Sequence, residues 1–174
     1  MIRRQLIGAV TVAATVLVLP AAVHAQERQA VRDATLTPTE RTIVEHIDAH
    51  RQDAVALLER VVNINSGTLN VEGQRRVAEV FAAELEPLGF EVRYEELPDS
   101  LNRGGHLIAE RRGDQGRHVL LIGHLDTVFE EDSPFQRFEL LNDSVATGSG
   151  LADMKGGDVV IVQALEALAA ADAL

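Results

Sequence analysis

Apolar residues recur at helical spacing in the chain that follows residue 36. The segment Thr37-Pro38-Thr39-Glu40 has the form of a capping box with proline at the first helical position. Beyond it the spacing predicts one or two helices over residues 38–62, with their apolar face at Ile43, Ile47, Ala54, Leu58 and Val61. Asn70 is placed to cap a further helix and Gly89 to end it, and its apolar stripe comprises Val77, Val80, Phe81, Leu85 and Leu88.

Alternating and short apolar segments follow that helix and predict strands. Residues 90–95 alternate as a half-buried strand does, residues 107–109 form a second short apolar segment, and residues 138–147 predict a hairpin. The all-aliphatic run 119–122 is bounded by Gly123 and predicts a buried strand in a parallel sheet. These elements give an α/β fold with a mixed sheet flanked by helices.

Two polar residues come directly after the aliphatic run. His124 and Asp126 are two residues apart, so in extended chain their side chains project to the same side. In open α/β sheets ligands bind at the carboxyl ends of strands. A metal-bound histidine usually donates its other ring nitrogen to a carboxylate or a carbonyl. The pair is therefore either a metal ligand with its orienting carboxylate or two solvated loop residues.

A second candidate carboxylate, Asp153, lies between glycines in the segment Thr147–Gly157. This segment leads into a long apolar stretch that begins at Asp158 and predicts a buried helix. Glycines allow close approach and positive φ angles, so the backbone positions a carboxylate held between them. A plain helix N-cap is the alternative for Asp153, although an N-cap does not need a glycine on each side.

Together, His-Leu-Asp-Thr-Val at 124–128 and Gly-Ser-Gly-Leu-Ala-Asp-Met-Lys-Gly-Gly at 148–157 resemble the co-catalytic zinc exopeptidase family. That family includes glutamate carboxypeptidases, aminoacylases and succinyl-diaminopimelate desuccinylase. The resemblance runs from about Asp53 to the last residue and includes the segment 62–70. It implies a zinc exopeptidase-like catalytic domain that hydrolyses peptide or N-acyl amide bonds.

The resemblance assigns a role to each of the three polar residues. It implies that His124 ligates one zinc, that Asp153 bridges two zinc ions, and that Asp126 is the catalytic carboxylate that orients His124. A bridging carboxylate lets two cations polarise a scissile carbonyl and acidify a shared water. The resemblance also implies a cis peptide bond between Asp153 and Met154, and a substrate that is a peptide or an N-acyl amino acid.

The family pattern continues with residues that this sequence does not supply after Asp153. A Glu-Glu pair with the general base, a further acidic ligand and a final histidine are expected, whereas the remaining acids are Asp158, Glu166 and Asp172. The expectation is a truncated catalytic domain, the amino-terminal part of a longer enzyme, which has no general base and is inactive alone. The family's lid or dimerisation domain, and with it a homodimer, would lie downstream.

The first 25 residues have the pattern of a secretory signal peptide, with Arg3 and Arg4 before an apolar stretch and Val23-His24-Ala25 as the cleavage site. A membrane anchor is the alternative, but Pro20 interrupts the stretch. The predicted organisation is signal peptide 1–25, flexible lead-in 26–36 and metallopeptidase domain 37–174, in a periplasmic or secreted protein. The chain has no cysteine, which excludes disulfides, thiolate ligands and a cysteine nucleophile.

Charge narrows the range of partners. The signal peptide carries two arginines and no acid, so its removal leaves 14 basic and 27 acidic residues, a net charge of −13. This balance argues against nucleic acid as a partner, and against an anionic membrane after signal cleavage.

Two alternatives stay open. His46 and His50, one helical turn apart, are either a metal pair or part of a solvated helix face. The function alternative is a non-catalytic exported remnant or binding module.

Overall fold

The computed structural model describes residues 35–114 and 116–174. Residues Thr37–Leu174 form a compact unit. The predicted signal peptide at 1–25, and the lead-in as far as residue 34, lie outside the described residues.

Four α-helices lie in the described residues, and side-chain caps begin two of them. They are α1 (Pro38–Ala49), α2 (Arg51–Val62), α3 (Val71–Leu85) and α4 (Gly156–Ala170). The capping box at Thr37 is confirmed, because its hydroxyl accepts from the Glu40 amide at 3.3 Å and Glu40 Oε2 accepts from the Thr37 amide at 2.7 Å. The cap of α3 is also confirmed, since Asn70 Oδ1 accepts from the Gly73 amide at 2.9 Å.

The core lies where α2, α3 and α4 pack together. Its buried members are Leu57, Val61, Val77, Val80, Phe81, Leu85, Val159 and Val162. The stripe predicted on α3 is confirmed for its four positions within that helix; Leu88 falls in a short 3-10 turn that Gly89 ends with a φ of 84°. Among the described residues no helix combines the length and apolar character needed to span a membrane.

The strands form two small antiparallel sheets. Strand β1 (Glu91–Glu95) pairs with β2 (His106–Glu110), and β3 (Glu139–Asn142) pairs with β4 (Val145–Thr147) as the predicted hairpin. One isolated parallel bridge joins Gly67 to Thr127. The helices and small sheets are compatible with the α/β class, whereas the strands of the described residues form two separate antiparallel pairs and not one mixed sheet.

The aliphatic run 119–122 departs most from its prediction. It belongs to no strand in the described residues, and its side chains are exposed, with Val119 at 78 %, Leu120 at 81 % and Ile122 at 76 %. A continuous aliphatic run becomes a buried strand only when neighbours pair with its edges and pack on both faces. Here pairing is confined to the bridge at Thr127, so the prediction of a buried parallel strand is wrong for the described chain.

Candidate active site

The structure brings His124, Asp126 and Asp153 into direct contact. His124 Nε2 lies 2.9 Å from Asp153 Oδ1. His124 Nδ1 lies 3.1 Å from the backbone oxygen of Asp126 and 3.3 Å from its Oδ1. Each ring nitrogen therefore faces an oxygen acceptor, and the imidazole lies between the two aspartates.

Asp153 is positioned by an irregular turn, Leu151–Lys155, which leads into α4. The turn begins after Gly150, whose φ is 71°, and Asp153 itself has a non-helical conformation. The Asp153–Met154 peptide bond is cis, as the resemblance implies. Lys155 is the N-cap residue of α4, so the alternative in which Asp153 merely caps this helix is wrong.

The surroundings of His124 favour a positive charge on the ring. Partial burial lowers the pKa of His124, but hydrogen bonds to the Asp153 side chain and to the Asp126 backbone outweigh burial and raise it overall. An acceptor at each nitrogen is satisfied only when both nitrogens carry a proton. A metal cation at Nε2 would take the place of one of these protons, since metal binding to histidine requires the neutral ring.

The donors suit zinc in kind but fall short in number. An imidazole nitrogen and a carboxylate oxygen are ordinary zinc ligands, and catalytic zinc sites use three protein ligands and a water. The residues that the structure describes contain no group of three histidine, aspartate or glutamate side chains placed to hold a metal. His124 and Asp153 therefore form part of a ligand set.

Sequence reasoning missed Thr68, whose hydroxyl hydrogen-bonds to the Asp126 carboxylate. Thr68 Oγ1 donates to Asp126 Oδ2 at 2.7 Å, across 58 residues of sequence. Thr68 lies in the segment 62–70 that carries the family resemblance, and this was the signal that could have identified it.

Lys155 and Asp158 were also missed. Lys155 is the only lysine of the chain and is fully buried, with Nζ donating at 2.8 Å to the carbonyls of Val61 and Ile64. Burial lowers the pKa of Lys155 to about 8, and the nearby Asp158 opposes this change. Burial raises the pKa of Asp158 to about 6, against the opposing charges of His124 and Lys155. Asp158 is therefore close to the site, although in sequence it is an isolated acid.

An open cleft of about 380 Å³ lies beside the candidate site. Its lining residues include His124, Asp126 and Asp153. Phe129 and Phe135 also line it, in edge-to-face contact with ring centroids 4.9 Å apart.

The other histidines of residues 35–174 do not line the cleft. His46 lies on α1 and His50 directly follows that helix, and their rings stack with centroids 4.0 Å apart. Both side chains are half-buried, so a solvated helix face describes them only in part. Burial, and then the charge of His50, lower the pKa of His46. His106 and His118 are exposed and are not among the residues that line the cleft.

Comparison with known proteins gives two partial matches. The chain is 34% identical over 118 residues to a carboxypeptidase G2 from Pseudomonas sp. strain RS-16, a match that covers 66% of this chain and 27% of that protein. It is 37% identical over 91 residues to an acetylornithine deacetylase from Photorhabdus laumondii, covering 49% of this chain and 23% of that protein. No family model matches the chain.

The matched segment thus spans about a quarter of the length of each curated relative. A carboxypeptidase and a deacetylase agree with the class that the motif resemblance indicates. At this identity and coverage, the agreement supports a zinc exopeptidase or amidohydrolase relationship without fixing the substrate.

Proposed function

We propose that this chain contributes His124, Asp126 and Asp153 to the active site of a metal-dependent hydrolase of peptide or N-acyl amide bonds. The observation that carries the proposal is the contact of His124 Nε2 with Asp153 Oδ1 at 2.9 Å, with Asp126 on the opposite nitrogen. The similarity to a carboxypeptidase and to a deacetylase supports the same class of reaction.

In this proposal zinc is the metal, and two ions are held in the complete site. Zinc supplies polarisation of the scissile carbonyl and a lowered pKa for a bound water. His124 and Asp153 would hold the metal, His124 through Nε2 and Asp153 through its carboxylate. Asp126 accepts from His124 Nδ1, fixes the ring's orientation, and keeps Nε2 directed at Asp153.

We further propose that the 174-residue chain has little or no activity by itself. Its described residues bring two candidate donors together, fewer than the three that catalytic zinc normally uses. None of the described residues that line the cleft is a glutamate, the residue type expected as the general base, and general-base catalysis contributes about 10²–10⁴-fold in rate. A homodimer or a further segment would have to complete the ligand set.

Export and substrate class also remain proposals. The pattern of residues 1–25 supports cleavage before Gln26 and a periplasmic or secreted location. Sequencing the amino terminus of the protein as the cell produces it tests this directly, and a mature chain that begins at Met1 contradicts it. The acidic charge argues against nucleic acid or an anionic membrane as the partner, and the motif resemblance supports a peptide or an N-acyl amino acid as the substrate.

The proposed activity is tested on the complete gene product, isolated as the cell makes it. Hydrolysis of dipeptides and of N-acyl amino acids is measured with and without a metal chelator. A His124→Gln variant is the test, and His118→Gln, which removes an exposed histidine outside the cleft, is the matched control.

Chelator-sensitive hydrolysis that is lost in His124→Gln and kept in His118→Gln is the expected result. Hydrolysis that is indifferent to the chelator refutes the metal mechanism. Binding of these substrates without turnover in the complete gene product favours the non-catalytic binding module instead.

A further inference from the structure

We propose that Thr68 is a positioning residue that fixes the proton on His124 Nδ1 through Asp126. The inference rests on the proposed function, because it gives Thr68 a task in presenting His124 Nε2. Its structural basis is a continuous set of hydrogen bonds from helix α3 to the imidazole. Each bond of the set is present among the described residues.

The first part of the set fixes the Thr68 backbone. Gln74, a buried residue of α3, donates through Nε2 to the carbonyls of Gly67 at 2.9 Å and Thr68 at 3.0 Å. The Thr68 amide donates to the Thr127 carbonyl at 3.0 Å. In return the Thr127 amide donates to the Ser66 carbonyl at 2.8 Å. Thr68 is thus anchored on one side to α3 and on the other to the segment that carries the site.

The second part fixes the Asp126 carboxylate. The Thr68 hydroxyl has one proton and two acceptors nearby, Asp126 Oδ2 at 2.7 Å and the Thr127 carbonyl at 3.2 Å. The carboxylate is the stronger acceptor and the closer one, and the Thr127 carbonyl already accepts from the Thr68 amide. The proton therefore goes to Asp126 Oδ2, which leaves Oδ1 for His124 at 3.3 Å.

The consequence concerns which nitrogen of His124 keeps its proton when the ring is neutral. Nδ1 faces two oxygens of Asp126, whose carboxylate is held by Thr68. Nε2 faces Asp153, whose side chain is 87 % exposed and free to turn to water. Thr68 therefore favours the Nδ1–H tautomer, in which the Nε2 lone pair is directed at Asp153. Without the hydroxyl, the partly exposed Asp126 side chain can rotate away from the ring.

The test is the tautomer of His124, measured by ¹⁵N NMR in the metal-free 174-residue chain at about pH 9, where an ordinary imidazole is neutral. Thr68→Val removes the hydroxyl at nearly constant shape, and Thr68→Ser restores it. Thr68→Ala is a second hydroxyl-free variant that keeps the test decisive if valine prevents folding. The His124 signals are assigned by their absence in His124→Gln.

We expect the Nδ1–H form to predominate in the wild type and in Thr68→Ser. In Thr68→Val and Thr68→Ala the ratio of Nδ1–H to Nε2–H falls by about fivefold, which corresponds to the loss of one net hydrogen bond. A wild-type ring protonated mainly on Nε2, or a ratio unchanged in a folded hydroxyl-free variant, overturns the proposal. A role for Thr68 in stability alone would lower the unfolding midpoint without moving this ratio.

The tautomer result does not depend on hydrolysis. Zinc chloride added to the same samples, followed by the His124 signals, reports separately on the proposed function. If the tautomer shifts but zinc does not perturb the His124 signals, the role of Thr68 is supported and the assignment of His124 as a metal ligand in this chain is refuted. If the tautomer does not shift in the hydroxyl-free variants but zinc perturbs the His124 signals, the role of Thr68 is refuted and the assignment of His124 as a metal ligand is supported.

Discussion

Lys155→Met tests whether the only lysine of the chain holds the Asp153 turn against α2. The ammonium donates two hydrogen bonds of 2.8 Å to the carbonyls of Val61 and Ile64, at the carboxyl end of that helix. The last carbonyls of a helix lack intrahelical donors, and this end carries the negative side of the helix dipole. Methionine has a similar length but cannot donate.

Two opposing contributions decide the size of the effect. A hydrogen bond from a charged donor contributes about 1.5–3 kcal/mol, so the two together contribute about 3–6 kcal/mol. Burial of the ammonium opposes them: a pKa of about 8 in place of 10.5 corresponds to a cost of about 3 kcal/mol. The substitution removes both contributions and leaves two carbonyls without this donor. We therefore expect the free energy of unfolding to fall by about 1–3 kcal/mol.

Urea unfolding followed by circular dichroism measures this change. The matched control is Arg60→Met, which removes an exposed positive charge whose Nη1 lies 3.9 Å from Glu84 Oε1. Exposed ion pairs of this kind contribute little, so the control should change stability by less than about 0.5 kcal/mol. A Lys155→Met protein that is as stable as the control would refute the argument that the ammonium fastens this turn.

Three further substitutions test other parts of the structure. Gly150→Ala should destabilise the chain by about 1–3 kcal/mol in urea, because φ is 71° and the added methyl group would overlap the Thr127 side chain; an unchanged midpoint contradicts this. Burial, and then the charge of His50, lower the pKa of His46 in the folded chain. As the pH falls below about 6.5, His46 is therefore protonated in the unfolded chain before it is protonated in the folded chain. The contribution of His46 to the free energy of unfolding is therefore present above this pH and is lost below it. Between about pH 7.5 and pH 5 the His46→Gln variant should lose less stability than the wild type, and an equal loss would exclude His46 as the cause. Asp126→Ala should weaken zinc binding by about 10–100-fold in a competition titration, and undiminished affinity would exclude an orienting role.

Local signals allowed the helices to be predicted from the sequence. The capping box at Thr37, the cap at Asn70 and the left-handed Gly89 act within a few residues, so no distant part of the chain is needed to place them. The strand β1 and the hairpin of β3 and β4 were predictable for the same reason, since alternation and a short connection specify them. The buried strand at 119–122 was not, because its burial depends on neighbours that its own residues do not determine.

The candidate site was predicted in part. His124 and Asp153 were identified from the motif resemblance, and their contact spans 29 residues of sequence. Thr68 and Lys155 were missed because their contacts span 58 and more than 90 residues and follow no periodic pattern. A lysine is almost never fully buried unless it is paired, so its residue type gave no indication of its position.

The central claim, that His124 and Asp153 are metal ligands, is tested most directly by zinc titration of the 174-residue chain, followed through the His124 ¹⁵N signals. We predict that one zinc ion binds with low affinity at Nε2, since only two donors, His124 Nε2 and Asp153 Oδ1, lie together in the described residues. Binding should be lost in His124→Gln and in Asp153→Asn, and kept in His118→Gln. Zinc that binds equally well to the wild type, His124→Gln and Asp153→Asn would contradict the account.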